Sequence, residues 1–278
     1  MEYREFEVPQ SLQRHIRCLW RFADPNPSAA PQIIWPDACC ELIVNLAEPM
    51  QRWTAITGWQ RQSATLFAAQ LTAPIRLAAD GPVHCIGIRL QPAASATIAR
   101  QRLIAARDQV VDLMQLDAQF TRSLVGQIAR FDRSQSTDAL WQFLELSVGR
   151  YVIDARVEAA IYSITAADGD VRIEAIAARA ELSARGFQQC FHASVGLRAK
   201  EFARVIRLQA SLRLLDSGAL SLADVAADAG FADQAHATRE LRRLTGHTPA
   251  RLLLALREAR DGDRTLALAA AFVRGFSA

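Results

Sequence analysis

The sequence predicts a multidomain α+β protein. An N-terminal antiparallel β sandwich or barrel with added helices precedes an all-α domain built from two helix-turn-helix units. Three observations predict this. Short apolar runs punctuated by Pro and Gly fill roughly residues 1–95, the apolar spacing changes to three and four from about Ala93, and two C-terminal segments repeat one helix-turn-helix pattern. A length of 278 residues suits two domains.

The β half begins with "PQIIWPDACCELIVNL", an apolar run, a Pro-Asp turn and a strand over about Cys39 to Leu46. Alternation places Cys40, Leu42, Val44 and Leu46 on one face and Cys39, Glu41, Ile43 and Asn45 on the other. "WTAIT", "ATLFAAQL", "PIRLAA" and "VHCIGIRLQP" read as further strands, the last bounded by Gly81-Pro82 and Pro92. The helical half then opens with "AASATIARQRL" as one helix. A second follows in "VVDLMQLDAQFTRSLVGQIARF", whose Leu113, Leu116, Phe120, Leu124 and Ile128 keep helical spacing. "STDALWQFLELSVGRY" is a third, capped by Ser136 or Thr137. These boundaries give a domain over 1–150, a helical domain over 151–256 and a tail over 257–278.

Two segments of the helical domain share one layout. "RIEAIAARAELSARGFQQCFHASVG" and "SLADVAADAGFADQAHATRELRRLTG" each have a first helix, a short turn, a cap residue and a second helix ending at Val-Gly or Thr-Gly. "LRAKEFARVIRLQASLRLLDSG" joins them as one long helix, with Phe202, Val205, Ile206, Leu208, Leu212 and Leu215 largely on one face and Gly218 as its stop. Ala177, Ala178, Ala226, Ala227 and Gly230 are the small residues that close helix packing needs. Ser183 and Asp233 are N-cap candidates for the second helix of each unit.

In such units the second helix enters the DNA major groove by its first turns. There the first unit carries Arg185, Gln188 and Gln189, with Phe187 and Phe191 facing inward. The second carries Gln234, Ala235, His236 and Arg239, with Leu241 and Leu244 inward. Arg pairs with guanine and Gln with adenine by two hydrogen bonds. Arg242, Arg243 and Arg251, with Arg204 and Arg207 on the joining helix, suit phosphates or solvent. The expected partner is therefore double-stranded DNA. A net charge of only +3, with Lys200 the single lysine, means that contact must come from local placement and not from bulk charge. The bland alternative is an ordinary helical bundle, or a protein-interaction module, with a solvated polar face.

The five cysteines follow no CxxC spacing, the N-terminus has no hydrophobic signal core, and no apolar run reaches membrane-spanning length. The expected location is cytoplasmic, away from membranes. Cys39, Cys40, His84 and Cys85, with Asp37 and Glu41 nearby, raise a metal- or thiol-sensing reading. Packing is the first reading, because Cys40 shares an apolar face and His84 alternates with Ile86, Ile88 and Leu90. No metal or cofactor is therefore expected. Trp35, Trp53, Trp59 and Phe67 could line an effector pocket, with Arg89 and Glu41 as anchors if they point inside. No GxSxG, HExxH, P-loop or dinucleotide fingerprint occurs, so an enzyme is not expected.

The stretches "IAARAELSARGFQQCFHASVG", "RLQASLRLLDSG" and "VAADAGFADQAHATRELRRLTGHTP" resemble the DNA-binding domain of AraC/XylS-type transcription regulators. The resemblance covers roughly Asp154 to Leu254, and Gly230-Phe231, Asp233-Gln234, Arg239, Gly246 and Thr248-Pro249 carry it. "PDACCELIVNL" and "GIRLQP" look like a cupin-like sensory domain found in some members, and the tail resembles theirs. The family usually has aromatic residues where Ala237 and Leu241 stand, and often Arg where Gln189 stands. The resemblance implies a sequence-specific regulator, an activator among the options, whose two recognition helices enter successive major-groove segments about 34 Å apart. It also implies a small-molecule effector in the N-terminal domain, contact with RNA polymerase, and a homodimer as options. Its effector is not legible in the sequence.

Overall fold

A computed structural model describes residues 1–217 and 221–260, with side chains to Leu256. The elements in chain order are β1 (Glu2–Phe6), β2 (Ile16–Asp24), β3 (Gln32–Ile34), β4 (Glu41–Asn45), β5 (Gln51–Thr54), β6 (Gly58–Arg61), β7 (Thr65–Ala68), β8 (Ile75–Ala78), β9 (Val83–Leu90), α1 (Ala96–Ala99), β10 (Val110–Asp112), α2 (Leu113–Leu116), α3 (Ala118–Ser134) and α4 (Asp138–Leu144). The helical half adds α5 (Ala155–Ala166), α6 (Ile173–Arg179), α7 (Ala184–Val195), α8 (Ala199–Ser217), α9 (Leu222–Asp228), α10 (Gln234–Thr245) and α11 (Pro249–Arg260).

The strands form two antiparallel sheets, one ordered β1-β2-β9-β4-β7-β10 and the other β3-β8-β5-β6. Alternation decides what each face meets. Cys40, Leu42, Val44, Ile86, Ile88 and Leu90 turn to α3 and α4, where Leu124, Ile128, Phe131 and Trp141 complete the largest core. Cys18, Trp20, Phe22 and Cys85 turn the other way, to Ile34, Met50 and Ala79. Gly87, opposite Trp20 in the β2–β9 register, is required by the indole: a Cβ there would lie 2.1 Å from its ring carbons.

Several expected elements are shorter or broken. "WTAIT" runs out of β5 into a turn before β6. "AASATIARQRL" is not one helix. It is two 3₁₀ turns around α1, broken where Arg100 adopts a φ of 48°. Residues 110–112 pair with β7 as a strand, so the helix expected from there starts later. It is further divided at Asp117, whose side chain accepts from Phe120 N and starts α3 afresh. Neither expected cap of α4 works through its side chain in the usual way. Thr137 holds the position, while the Ser136 hydroxyl bonds Asp138 at 3.0 Å.

In the helical half, α6–α7 and α9–α10 are the two helix-turn-helix units, and α8 runs between them as predicted. Its burial differs from the expectation of one apolar face. Phe202, Ala203, Val205 and Ile206 serve the first unit's core, while Leu208, Leu212 and Leu215 serve the second's. Buried Gln209 and Ser211 lie in between, so α8 is enclosed on more than one side. Gly218, its expected stop, lies outside the described residues, as does the tail beyond residue 260. Residues 257–260, expected as tail, continue α11.

Candidate nucleic-acid interface and effector cavity

The two units close by one hydrogen-bond scheme. Ala180, Glu181 and Leu182 donate to Ile176, Ala178 and Ala177; Ala229, Gly230 and Phe231 donate to the corresponding Val225, Ala227 and Ala226. Glu181 (φ 55°) and Gly230 (φ 70°) hold the left-handed position in each turn. At Gly230 a Cβ would fall 2.7 Å from the Asp170 carboxyl carbon, so glycine is required there on two counts. Ala177 and Ala226 are buried at the helix contacts, whereas Ala178 and Ala227, expected to pack, are exposed. The second turn is one residue longer. Ser183 accepts from Gly186 N at 3.1 Å and Asp233 from His236 N at 2.6 Å, and Gly196 and Gly246 stop the two helices in left-handed conformation.

With caps aligned, Ala237 falls where the first unit has Phe187. Phe231, at the place of Leu182, packs in the cluster that holds Ala237, Ala226 and Ala229. The aromatic bulk missing from the second recognition helix is thus supplied by its turn. Phe231 is sandwiched further: the Arg207 guanidinium lies 5.5 Å from its centroid, and the His236 ring meets it edge-on at 5.4 Å.

Arg185, Gln189, Gln234, Arg239, Arg242 and Arg243 are exposed on α7 and α10, and Gln188 is half-buried among them. Gln189 and Arg239 occupy equivalent positions of the two helices. His236 differs from the other expected readers. It is half-buried against Phe231, and its Nδ1 accepts from Ala232 N at 3.4 Å. Arg243 lies 3.8 Å from Glu240. Arg204 and Arg207, expected to meet phosphate or solvent, instead tie elements together. Arg204 makes a two-point contact with Glu240 of α10 (2.8 and 3.0 Å), and Arg207 donates to Gly169 O and Asp170 ahead of α6.

Between the two sheets lies a cavity of about 90 Å³. Trp20, Phe22, Trp35, Ile43, Met50 and Leu77 form much of its apolar wall, and Asp37 and Glu41 are its charged members. Of the four aromatic residues expected to line a pocket, Trp35 does. Phe67 is on the opposite face, and Trp53 and Trp59 are cross-strand neighbours at the surface. Trp20, not anticipated, lines it because alternation on β2 turns it inward. Of the two expected anchors, Glu41 lines the cavity and Arg89 stands behind it. Buried Arg89 donates to Glu41 at 2.8 Å and lies 3.7 Å from Asp37, and Trp20 Nε1 donates to Glu41 at 3.2 Å. Desolvation raises the Glu41 carboxyl against the pull of Arg89, while its two acidic neighbours hold Arg89 well above its usual value.

The cysteine cluster does not assemble. Cys39 and Cys85 face the cavity, Cys40 faces the helices, and His84 sits at the rim of that second face, 3.0 Å from Asp132. Burial pushes the Cys40 and Cys85 thiols up to about 12, and Cys39 higher still, with Asp37 adding to the rise. Such thiols are poor nucleophiles and poor ligands at neutral pH. Among the described residues no three His, Cys, Asp or Glu side chains converge on one point, and no helix is long and apolar enough to cross a membrane.

The cavity and the helical domain share one segment of chain, which the sequence did not reveal. Trp35 lines the cavity and also belongs to the core formed by Leu208, Leu212, Leu241, Leu244, Leu252 and Leu256. Pro36 O accepts from buried Gln209 of α8 at 2.5 Å, and Ala38 O accepts from buried Gln70 at 3.0 Å. Ala38 holds a left-handed φ of 63° and packs in the first unit's core. A groove of about 330 Å³ on the far side of Asp37 and Cys39 separates the β domain from α5 and α8.

Residues 176–255 match the model of a helix-turn-helix domain, and residues 4–112 match a domain of unknown function (DUF6597). No curated protein matches the chain. Among solved structures, it is similar to the DNA-binding domain of AdpA, a global transcriptional factor, solved with a target DNA (27% identity, 39% of this chain and 98% of that one, TM-score 0.36). It is also similar to a probable AraC family transcriptional regulator from Rhodopseudomonas palustris (28%, 37% and 98%, TM-score 0.34). ToxT from Vibrio cholerae aligns over 85% of this chain and 98% of its own at 11% identity, with a TM-score of 0.48. With its paired units, the helix between them and the matched helix-turn-helix segment, the chain carries a C-terminal helix-turn-helix domain of the AraC type behind an antiparallel β domain.

Proposed function

We propose that this regulator acts by binding and not by catalysis, with residues 1–150 as a sensory domain and 151–256 as the domain that reads DNA. The observation that carries the reading is the matched pair of capped helices, α7 and α10, each exposing polar and cationic side chains in its first turns. Arg185, Gln188 and Gln189 read one major-groove segment, and Gln234 and Arg239 the next. Arg242 and Arg243 meet phosphates, and His236 holds the turn that aims α10. The joining helix, 19 residues or about 28 Å long, sets the spacing of the two units.

A ligand in the sheet-to-sheet cavity controls that spacing through residues 33–39. The support is that Trp35 belongs to both sites and that Gln209 grips the same segment from α8. Titrating the protein against its own upstream region at several salt concentrations tests DNA binding. Affinity is expected to exceed that for random DNA by at least about a thousandfold and to fall steeply with salt. Equal affinity for both DNAs would refute specific recognition.

A further inference from the structure

We infer that Arg207 and Asp170 fix the rotation of α10 relative to α7, and so make the protein selective for the spacing of its two DNA segments. This rests on the reading of both helices as DNA readers. It goes further by naming the side chains that set the phase between them, which the length of the joining helix alone does not.

Residues 168–170, between α5 and α6, lie against the joining helix. Asp168 and Gly169 both take left-handed backbone, with φ of 49° and 79°. Glycine is required at 169, where a Cβ would fall 2.2 Å from Ala203 O and 2.9 Å from Arg207 N of α8. That close approach brings Asp170, just ahead of the first unit, onto Gly230 in the turn of the second. Arg207 closes the contact. One terminal nitrogen donates to Gly169 O at 3.1 Å and to Asp170 at 3.0 Å, while the guanidinium lies 5.5 Å from the Phe231 centroid. Its side chain is only 19% exposed, so protein groups hold it in place. Arg213 adds a second tie from α8, 2.6 Å to Asp168. Phe231 in turn meets His236, in the first turn of α10, edge-on at 5.4 Å.

Each unit's core grips a different half of α8, so bending or twisting of that helix leaves both cores intact. The Asp170–Arg207–Phe231 contact is broken by it, because it joins one unit to the other. The Arg204–Glu240 pair ties α10 to α8 but not to the loop before α6. One added base pair moves the second DNA segment about 3.4 Å along the axis and about 35° around it. A braced pair of helices does not follow that shift, whereas a pair free to turn about α8 follows it in part.

The test uses the full-length protein and the fragment it protects in its own upstream region, with versions lengthened or shortened by one base pair between the two segments. Wild type is expected to prefer the natural spacing by at least about tenfold. Arg207→Ala and Asp170→Ala should each reduce that ratio by at least about threefold. A misfolded fraction, or loss of a phosphate contact, weakens binding to all three DNAs alike, so the ratio reports position and not stability. If one variant fails to fold, the other carries the test. Ratios in both variants equal to that of wild type would overturn the brace and leave DNA recognition standing, as would a wild-type protein that binds specifically but ignores spacing. Equal binding to random DNA would remove the DNA-binding reading, and the brace with it.

Discussion

Arg239 and Arg242 stand one helical turn apart on the exposed side of α10, yet they are expected to fail differently when removed. Arg239 is in the second turn, within reach of base edges when the helix enters by its N-terminus, and Arg242 is in the last. Arg239→Ala should cost about 1–3 kcal/mol at one or two base pairs and relax preference there. Arg242→Ala should weaken all sequences alike and lower the slope of log affinity against log salt by about one. Binding isotherms on single-base-substituted operators separate the two, and a uniform loss for Arg239→Ala would make it a phosphate contact. His236 illustrates what the sequence hides at this scale. Its position in the first turn made it a candidate reader, and only its contacts with Phe231 and Ala232 N show a ring turned back to the protein.

Between elements, the half-buried Arg204–Glu240 pair joins α8 to α10 by two parallel hydrogen bonds, a geometry stronger than a single surface contact. Glu240→Ala should lower stability in urea by about 1–2 kcal/mol, because Arg204 then loses its charged acceptor. A double-mutant cycle with Arg204→Ala should return a coupling of about 0.5–1.5 kcal/mol, and a coupling near zero would show that the pair does not tie the helices. The two helix-turn-helix units, their caps and the joining helix were legible, since each has a local signal: apolar spacing, a capping side chain, a terminal glycine. The break at Arg100 and the strand at Val110–Asp112 were not. The first depends on a left-handed backbone at a non-glycine residue, and the second on pairing with β7, about 45 residues earlier.

At the scale of the whole molecule, the segment Trp35–Ala38 is gripped from both sides, by Gln70 of the β domain and Gln209 of the joining helix. Gln209→Leu keeps the volume near constant and leaves Pro36 O without that donor. Stability should fall by about 1–3 kcal/mol, and any change in DNA affinity produced by filling the cavity through Ala68→Leu, at a β7 residue of its wall, should shrink at least threefold in the Gln209→Leu background. Fluorescence anisotropy on the four proteins of this cycle measures it; an undiminished response would mean that the signal does not run through this segment. The sequence by itself determined the two-part architecture, the faces of β4 and the paired recognition helices with their caps, because these follow from local periodicity and capping. Only the tertiary structure decided that Trp20 and Trp35 wall a cavity while Trp53 and Trp59 do not, and that Phe231 supplies the bulk that Ala237 lacks. It alone joined Pro36 to Gln209, since such contacts come from packing residues as far apart as 173 positions in the chain.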